Sequence, residues 1–326
     1  MQRVGQRDIF DRIREGCAEV AARAKHVRLR EEEIPGCARR LTSVDVRIPA
    51  LDTEHHFVGS PEETLAYFIT LDAVNFGSGF FPHLSKRPGL SGYFTIASAL
   101  AERFRNAGPM TAEDLAAIDA GECAAIFGQD AANEPIQELM SLFAIAWNDL
   151  GRDLLDRFDG RFAVLIEAAG GSAGRLVALL GEQEFFQDET VYGDLVVPFY
   201  KRSQLLASDL ALAFDGEGYG RFADLDRLTT FADNLVPHVL RVDGLLVYSD
   251  ALANAIDRGE PIPADSEQEI EIRACAVHAV ERIRETLVSA GVAVSSRQLD
   301  QILWHRGQRP EIKRAANRHR TRSVFY

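Results

Sequence analysis

The chain has 326 residues, and its 49 acidic against 36 basic side chains leave a formal net charge of −13 at pH 7. That balance disfavours long anionic nucleic acid as a partner of the whole surface. With 46% hydrophobic, 26% charged and 9% aromatic residues, the composition is that of a folded globular protein, which excludes disorder, a collagen-like repeat and a small disulfide scaffold. The length fits one domain spanning residues 1–326, with room for two helical lobes whose junction composition does not fix.

The four cysteines, Cys17, Cys37, Cys123 and Cys275, are far apart and make no CxxC pair, so neither a zinc knuckle nor a dithiol redox site is indicated. The opening MQRVGQRDIFDRIREGCAEV has no apolar core of a signal peptide, and no run approaches the ~18 apolar residues of a membrane span. A cytoplasmic location with no membrane partner is the default expectation.

Helical periodicity dominates, and strand-like alternation is confined to short pieces such as Val44, Val46 and Ile48, so a mostly α fold is expected. Ile9, Phe10, Ile13, Cys17, Val20 and Ala21 form one apolar stripe on a first helix. Ser60-Pro61-Glu62-Glu63 reads as a helix opening, with Ser60 as N-cap and Glu63 completing a capping box. After Asp72 comes AVNFGSGFFPHLSKRPGLSGYFT, where Gly77, Gly79, Pro82, Pro88, Gly89 and Gly92 interrupt regular structure and leave aromatic residues on a loop. Helices are expected at Thr111 to Ala120, Pro135 to Leu150, Gly151 to Phe158 and Phe162 to Ala169. The run Gly170 to Gly174 lacks the Lys-Ser/Thr ending of a phosphate loop and reads as an interhelical turn before Leu176 to Leu180. Val197 to Ala213, Phe222 to Val242 and Ser266 to Ala290 are strongly helical in pattern, and Gly259, Pro261, Ile262 and Pro263 make the best linker. From Arg306 onward Arg309, Lys313, Arg314, Arg318, Arg320 and Arg322 face the single acid Glu311, a local charge reversal suited to a phosphate-sized target.

Several side chains stand out as carriers of chemistry. Asp233 lies in RLTTFADNLVPHVLR, where Leu228, Phe231, Leu235 and Val239 mark an apolar helical face. A half-buried Asp there is a candidate base or oxocarbenium stabiliser, provided a cation or hydrogen bond supports its charge; otherwise it is a helix cap or a surface charge. Tyr200, Lys201 and Arg202 follow LVVPF. Lys201 can pair with Asp233, meet a phosphate or act as an amine nucleophile, unless both cations simply reach out to water. Asp72 and Asn75 flank the aromatic loop, whose Phe76, Phe80, Phe81 and Tyr93 either sandwich a planar ring or fill the core. Asp300, ahead of Leu303 and Trp304, can accept the two parallel N–H donors of a guanine-like edge or stand on a helix surface. His55 and His56 have no carboxylate or Cys at ligand spacing, so no metal is expected and His56 is kept as a polar ligand contact; His238 reads as a helix-face histidine. HExxH, GxSxG, P-loop and Rossmann patterns are absent, which removes zinc hydrolases, kinases and dehydrogenases.

The segments LDAVNFGSGFF, VPFYKRSQLLASDL, LTTFADNLVPHVLR and HRTRSVFY, together spanning Leu71 to Tyr326, resemble one family: the queuosine salvage proteins, which are queuosine 5′-phosphate N-glycosylase/hydrolases. The resemblance implies an all-α fold distantly similar to helix-hairpin-helix DNA glycosylases. It implies hydrolysis of the N-glycosidic bond of queuosine 5′-monophosphate, releasing the 7-deazaguanine base queuine for reuse in tRNA. The Asp of the family's Phe-Ala-Asp motif falls on Asp233, the Lys of its Tyr-Lys-Arg motif on Lys201, and the Asp before its late Leu-Trp pair on Asp300. Asn234 and Leu235 stand where many relatives carry Tyr-Arg, a departure that bears on substrate contacts.

Glycosidic cleavage builds positive charge on the ribose, which a carboxylate stabilises while orienting or deprotonating water. Asp233 is assigned both roles. Phe231 or Phe76 suits stacking on the base, with Asn234, Trp304 and Tyr200 as neighbours, and Lys201, Arg202, Arg320 or Arg322 suits the phosphate. Neither metal nor organic cofactor is required. Three alternatives stay open: a nucleic-acid glycosylase, against which the net charge weighs; a non-catalytic queuine-binding carrier; and a helical scaffold without a ligand site.

Overall fold

In the computed structural model the described residues are 8–42, 50–130 and 132–326, so the alternating piece around Val44, Val46 and Ile48 lies outside them. Helices carry most of the described residues, in keeping with the periodicity. The described strands are short and form two antiparallel pairs, Val27–Leu29 with Leu246–Tyr248 and Glu189–Tyr192 with Leu195–Pro198.

Two compact units account for the chain. The first draws on Met1–Pro49, Asp188–Lys201 and Asp226–Arg322, and the second on Ala50–Gln187, Arg202–Leu225 and Ser323–Tyr326. The expected linker Gly259 to Pro263 is therefore no boundary, since both of its flanks lie in the first unit. Ile262 is buried there, and its N–H donates to the Arg320 carbonyl at 2.8 Å.

The first unit is organised on the helix Glu267–Ser289, capped by Ser266 as its sequence anticipates. Ile272, Cys275, Ala276, Ala279, Val280 and Ile283 enter one apolar cluster with Ile34, Leu41, Val239 and Leu240. The helix Ile9–Arg23 buries Phe10, Ile13, Cys17 and Val20, the stripe expected of it, and packs against Glu267–Ser289. Glu271 is fully buried but supplied with donors: the N–H groups of Lys25, His26 and Val27 and the Tyr192 hydroxyl all reach its carboxylate. Such saturation removes the desolvation penalty that a lone buried carboxylate would carry. All four cysteines are buried and free, and burial pushes the Cys37 thiol up to about 11 and the Cys123 thiol up to about 12.

Two expected helices are shorter than their apolar spacing suggests. Val197 and Pro198 end a strand, Tyr200 adopts a positive φ of 48°, and the helix begins only at Lys201, running to Ala213. Residues 222–234 contain one 3-10 turn, Leu225–Arg227, and the α-helix is limited to Leu235–Val242. Leu228 and Phe231 repeat at helical spacing because loop residues on this stretch are also buried, at 0% and 3% exposure, and burial rather than helicity sets the pattern.

In the second unit the helix Pro61–Ala73 opens with the full Ser60–Glu63 capping box. Gly92 opens the helix Gly92–Ala107 rather than ending regular structure, so Tyr93 is helical. Thr111 to Ala120 resolves into a short helix, Ala112–Ala117, and the start of another at Ala120. Pro135 to Leu150 and Gly151 to Phe158 are one helix, Glu134–Arg157. Gly151 does not interrupt it; a Cβ there would meet the Ala116 amide nitrogen and, at 2.6 Å, the Ala112 carbonyl. Phe162–Ala169 forms as expected, and Gly170 and Gly171, both at positive φ, turn the chain into Ala173–Leu180. The N-terminus of that last helix is filled by Asp224, which accepts from the Ala173 and Gly174 amides and the Ser172 hydroxyl. An internal carboxylate thus occupies the position where a phosphate loop would hold its anion.

Candidate active site

Asp233 precedes the helix Leu235–Val242 and turns one carboxylate oxygen onto its first amides, accepting from Leu235 at 2.8 Å and Val236 at 3.0 Å. It is therefore a helix cap and a chemical candidate at once, because an N-terminal amide pair favours the ionised form. Burial pushes the Asp233 carboxyl up from its ordinary value, opposed by the Val236 amide, Lys201, the Leu235 amide and Arg318. As a residue Asp233 is half-buried.

Asp300, on the helix Ser296–Gly307, is 4% exposed and accepts the Phe231 N–H at 2.9 Å. Burial first and the charge of Asp233 second drive it well above the carboxylate range, with the Phe231 amide and Lys201 opposing. The helix-surface alternative is excluded by this burial. Both carboxyls are thus raised, Asp300 further because the charge of Asp233 adds to its burial.

The raised Asp300 has a stability consequence with a definite sign. A carboxyl with a higher pKa folded than unfolded takes up a proton on folding, so stability falls as pH rises above the unfolded value, by about 1.4 kcal/mol per unit until the folded pKa is passed. Asp300→Asn keeps an acceptor for Phe231 and carries no charge. Its thermal unfolding midpoint is expected to exceed the wild type's at pH 7.5 and to approach it near pH 4, as read by scanning calorimetry.

Lys201 is 6% exposed and does not reach out to water. Its backbone N–H donates to the Asp188 carboxylate at 3.0 Å, and the Asp188 carbonyl accepts from Phe199 at 2.8 Å and Tyr200 at 3.3 Å. Tyr200 itself donates its hydroxyl to Glu189 at 2.7 Å. Arg273 grips Asp188 with both guanidinium arms, at 2.9 and 2.7 Å, while its Nε donates to the Ala232 carbonyl at 3.1 Å. The guanidinium sits 4.0 Å from the centre of the Phe199 ring, with Glu269 at 3.7 Å.

Asp188 and Arg273 are not among the sequence candidates, and Arg318 is marked there only as one of the basic tail residues. Asp188 sits in FFQDETVY without a motif. Arg273 leaves a clue in hindsight: Ile270, Ile272, Ala274, Cys275, Ala276 and Val277 surround it, and a cation in so apolar a run needs a buried partner.

Of the remaining first-unit candidates, Phe231 is buried, while Asn234 and Trp304 are half-buried and the Trp304 ring meets His305 edge-on. Arg320 and Arg322 are exposed, whereas Arg318 is half-buried and feels the charge of Asp233. His238 is buried and bonded to the Ile312 carbonyl at 3.0 Å.

The other candidates belong to the second unit, and each has a local use there. Phe76 and Phe80 fill the core, Phe76 standing edge-on to Phe143 with ring centres 5.0 Å apart. Arg202 is 2% exposed, donates to the Ala73 carbonyl and lies over the rings of Phe76 and Phe186. These contacts give its guanidinium a local use within the second unit. Asp72 is fully buried and accepts from Asn75 at 3.0 Å. His56 has both ring nitrogens in use, on the Asp52 carbonyl at 2.8 Å and the Tyr93 hydroxyl at 2.9 Å. His55, expected to have no carboxylate at hand, is corrected in the same way, since Asp52 lies 2.7 Å from its Nδ1 and Glu54 adjoins them.

A helical protein with a capping loop carboxylate, a second, deeply buried carboxyl raised by its charge and a buried lysine has the parts of a glycosidic-bond hydrolase. Comparison with known proteins narrows that class. The sequence model of the queuosine salvage protein family matches residues 55–326. The chain is 37% identical over 312 residues to the queuosine 5′-phosphate N-glycosylase/hydrolase of Sphaerobacter thermophilus, covering 94% of this chain and 95% of that one. It is 31% identical to the mouse (Mus musculus) protein of the same name, over 82% and 83% of the two chains, and 29% identical to that of Dictyostelium discoideum, over 96% and 98%. The chain belongs to the queuosine salvage protein family.

Proposed function

We propose that this protein hydrolyses the N-glycosidic bond of queuosine 5′-monophosphate and releases queuine, with Asp233 as the carboxylate that stabilises the ribosyl cation and activates water. The observation that carries the reading is the Asp233–Asp300 pair, two carboxyl groups in one buried field, the first held by two helix amides and the second raised by burial and by the charge of the first. Asp233 has Lys201 and two amides to sustain its charge. Asp300, holding a proton, gives the departing base a donor where an ionised carboxylate would only accept. Phe231 and Trp304 serve the base, and Lys201 and Arg318 the phosphate.

On this reading residues 1–326 act as one functional domain in the cytoplasm on a small nucleotide, with queuine as product and no stable polynucleotide partner. No helix among the described residues is long and apolar enough to cross a membrane.

The direct test is chromatography with mass detection of queuine after incubation with queuosine 5′-monophosphate. Release is expected to follow a bell-shaped pH profile. The acid limb reflects protonation of Asp233 and is shifted upward from the ordinary Asp value, because burial raises its pKa; the alkaline limb reflects loss of the Asp300 proton. No release at any pH between 5 and 9 would refute the assignment.

A further inference from the structure

We infer that Arg273 and Asp188 form a positioning clamp that sets Lys201 and Asp233 in register, so that one guanidinium governs the geometry of both. The kinetic consequence of the clamp rests on the proposed reaction, and its structural consequence on hydrogen bonds alone.

Three separate stretches of chain meet on this pair. Asp188 binds the turn that launches Lys201 through three backbone N–H groups, those of Phe199 and Tyr200 on its carbonyl and that of Lys201 on its carboxylate. That turn includes Tyr200 at a φ of 48°, a conformation a bulky residue holds only when its surroundings impose it. Arg273 closes the carboxylate of Asp188 in a two-armed grip and commits its Nε–H to the Ala232 carbonyl, in the peptide bond leading into Asp233. The Phe199 ring covers the guanidinium face and Glu269 approaches its edge. Asp233 and Lys201 are thus two ends of a bridge whose span is a planar, inextensible group.

A buried ion pair is weak support for stability, since apolar residues of similar volume commonly serve as well. What they cannot supply is a fork with fixed angles that binds a carboxylate on one side and a carbonyl on another. Lysine keeps the charge but not the fork, so Arg273→Lys separates geometry from electrostatics.

The experiment compares wild type, Arg273→Lys, Asp188→Asn and Leu287→Ala, the last a core truncation on the same helix that destabilises without touching the clamp. For Arg273→Lys and Asp188→Asn, kcat is expected to fall about 10- to 100-fold with KM within about threefold of wild type, because a sub-ångström misplacement affects the reacting geometry more than binding. Leu287→Ala should keep kcat when assayed well below its unfolding midpoint. Hydrogen exchange adds a readout that needs no turnover: amides of the Phe199–Arg202 and Thr230–Val236 segments should lose protection together in both clamp variants and not in Leu287→Ala. A wild-type kcat in Arg273→Lys, or exchange that rises in one segment alone, would overturn the clamp. An inactive wild type would refute the proposed reaction instead, leaving coupled exchange to decide the clamp.

Discussion

Asp233→Asn is expected to slow queuine release by about 10²- to 10⁴-fold, the range that a positioned acid–base or charge-stabilising group supplies. The variant is informative because its fold should survive. The amide oxygen of Asn still accepts from Leu235 and Val236, and Asn caps helices as well as Asp does, so the start of Leu235–Val242 stays closed. What disappears is the negative charge that the proposed mechanism sets against the ribosyl cation and uses to take a proton from water. Calorimetric titration with queuine should find base affinity within a few fold of wild type. Activity retained within threefold would move the chemistry to another group, and base binding without turnover in the wild type would favour a carrier.

A loss of stability is expected from Gly151→Ala. Here the helix Glu134–Arg157 touches the backbone of Ala112–Ala117, and a methyl group would overlap the Ala116 amide and approach the Ala112 carbonyl to 2.6 Å. Backbone atoms cannot rotate aside as a side chain can, so the two helices must separate. The helix-propensity gain of Ala over Gly, about 1 kcal/mol, should be outweighed by overpacking of about 1–3 kcal/mol and by the weaker packing of the two helices once the gap opens. Urea unfolding of the two proteins measures the difference. An unchanged or higher midpoint would mean that the crossing yields more readily than its geometry suggests. Activity at low temperature should persist in the fraction that remains folded.

Gly151 also illustrates why parts of the fold escape a reading of sequence. Glycine within an apolar pattern carries the same letter whether it ends a helix or lets another helix pass close by, and only the neighbour decides. The Ser60–Glu63 opening, the Phe162–Ala169 helix and the long helix after Ser266 are legible because capping and periodicity are local. Leu228 and Phe231 mislead because a loop pressed into a core imitates helical spacing. The candidate site divides in the same manner. Asp233 and Lys201 stand out as candidates through their motifs and Asp300 through its apolar setting. Their supports do not: Asp188 and Arg273 stand 85 positions apart. No local pattern joins them.

The threading of the chain also sets a timetable for synthesis. The unit holding Asp233 combines an early segment, the short stretch Asp188–Lys201 and a late segment ending at Arg322. While the ribosome is still making residues between these, the helix Ile9–Arg23 has emerged without Glu267–Ser289, the partner that covers its apolar stripe. Phe10, Ile13 and Val20 must wait for about 250 residues of translation, tens of seconds at slow elongation rates, with their apolar face unpaired. A nascent chain of this design has a long window in which a chaperone that shields amphipathic helices would raise its yield.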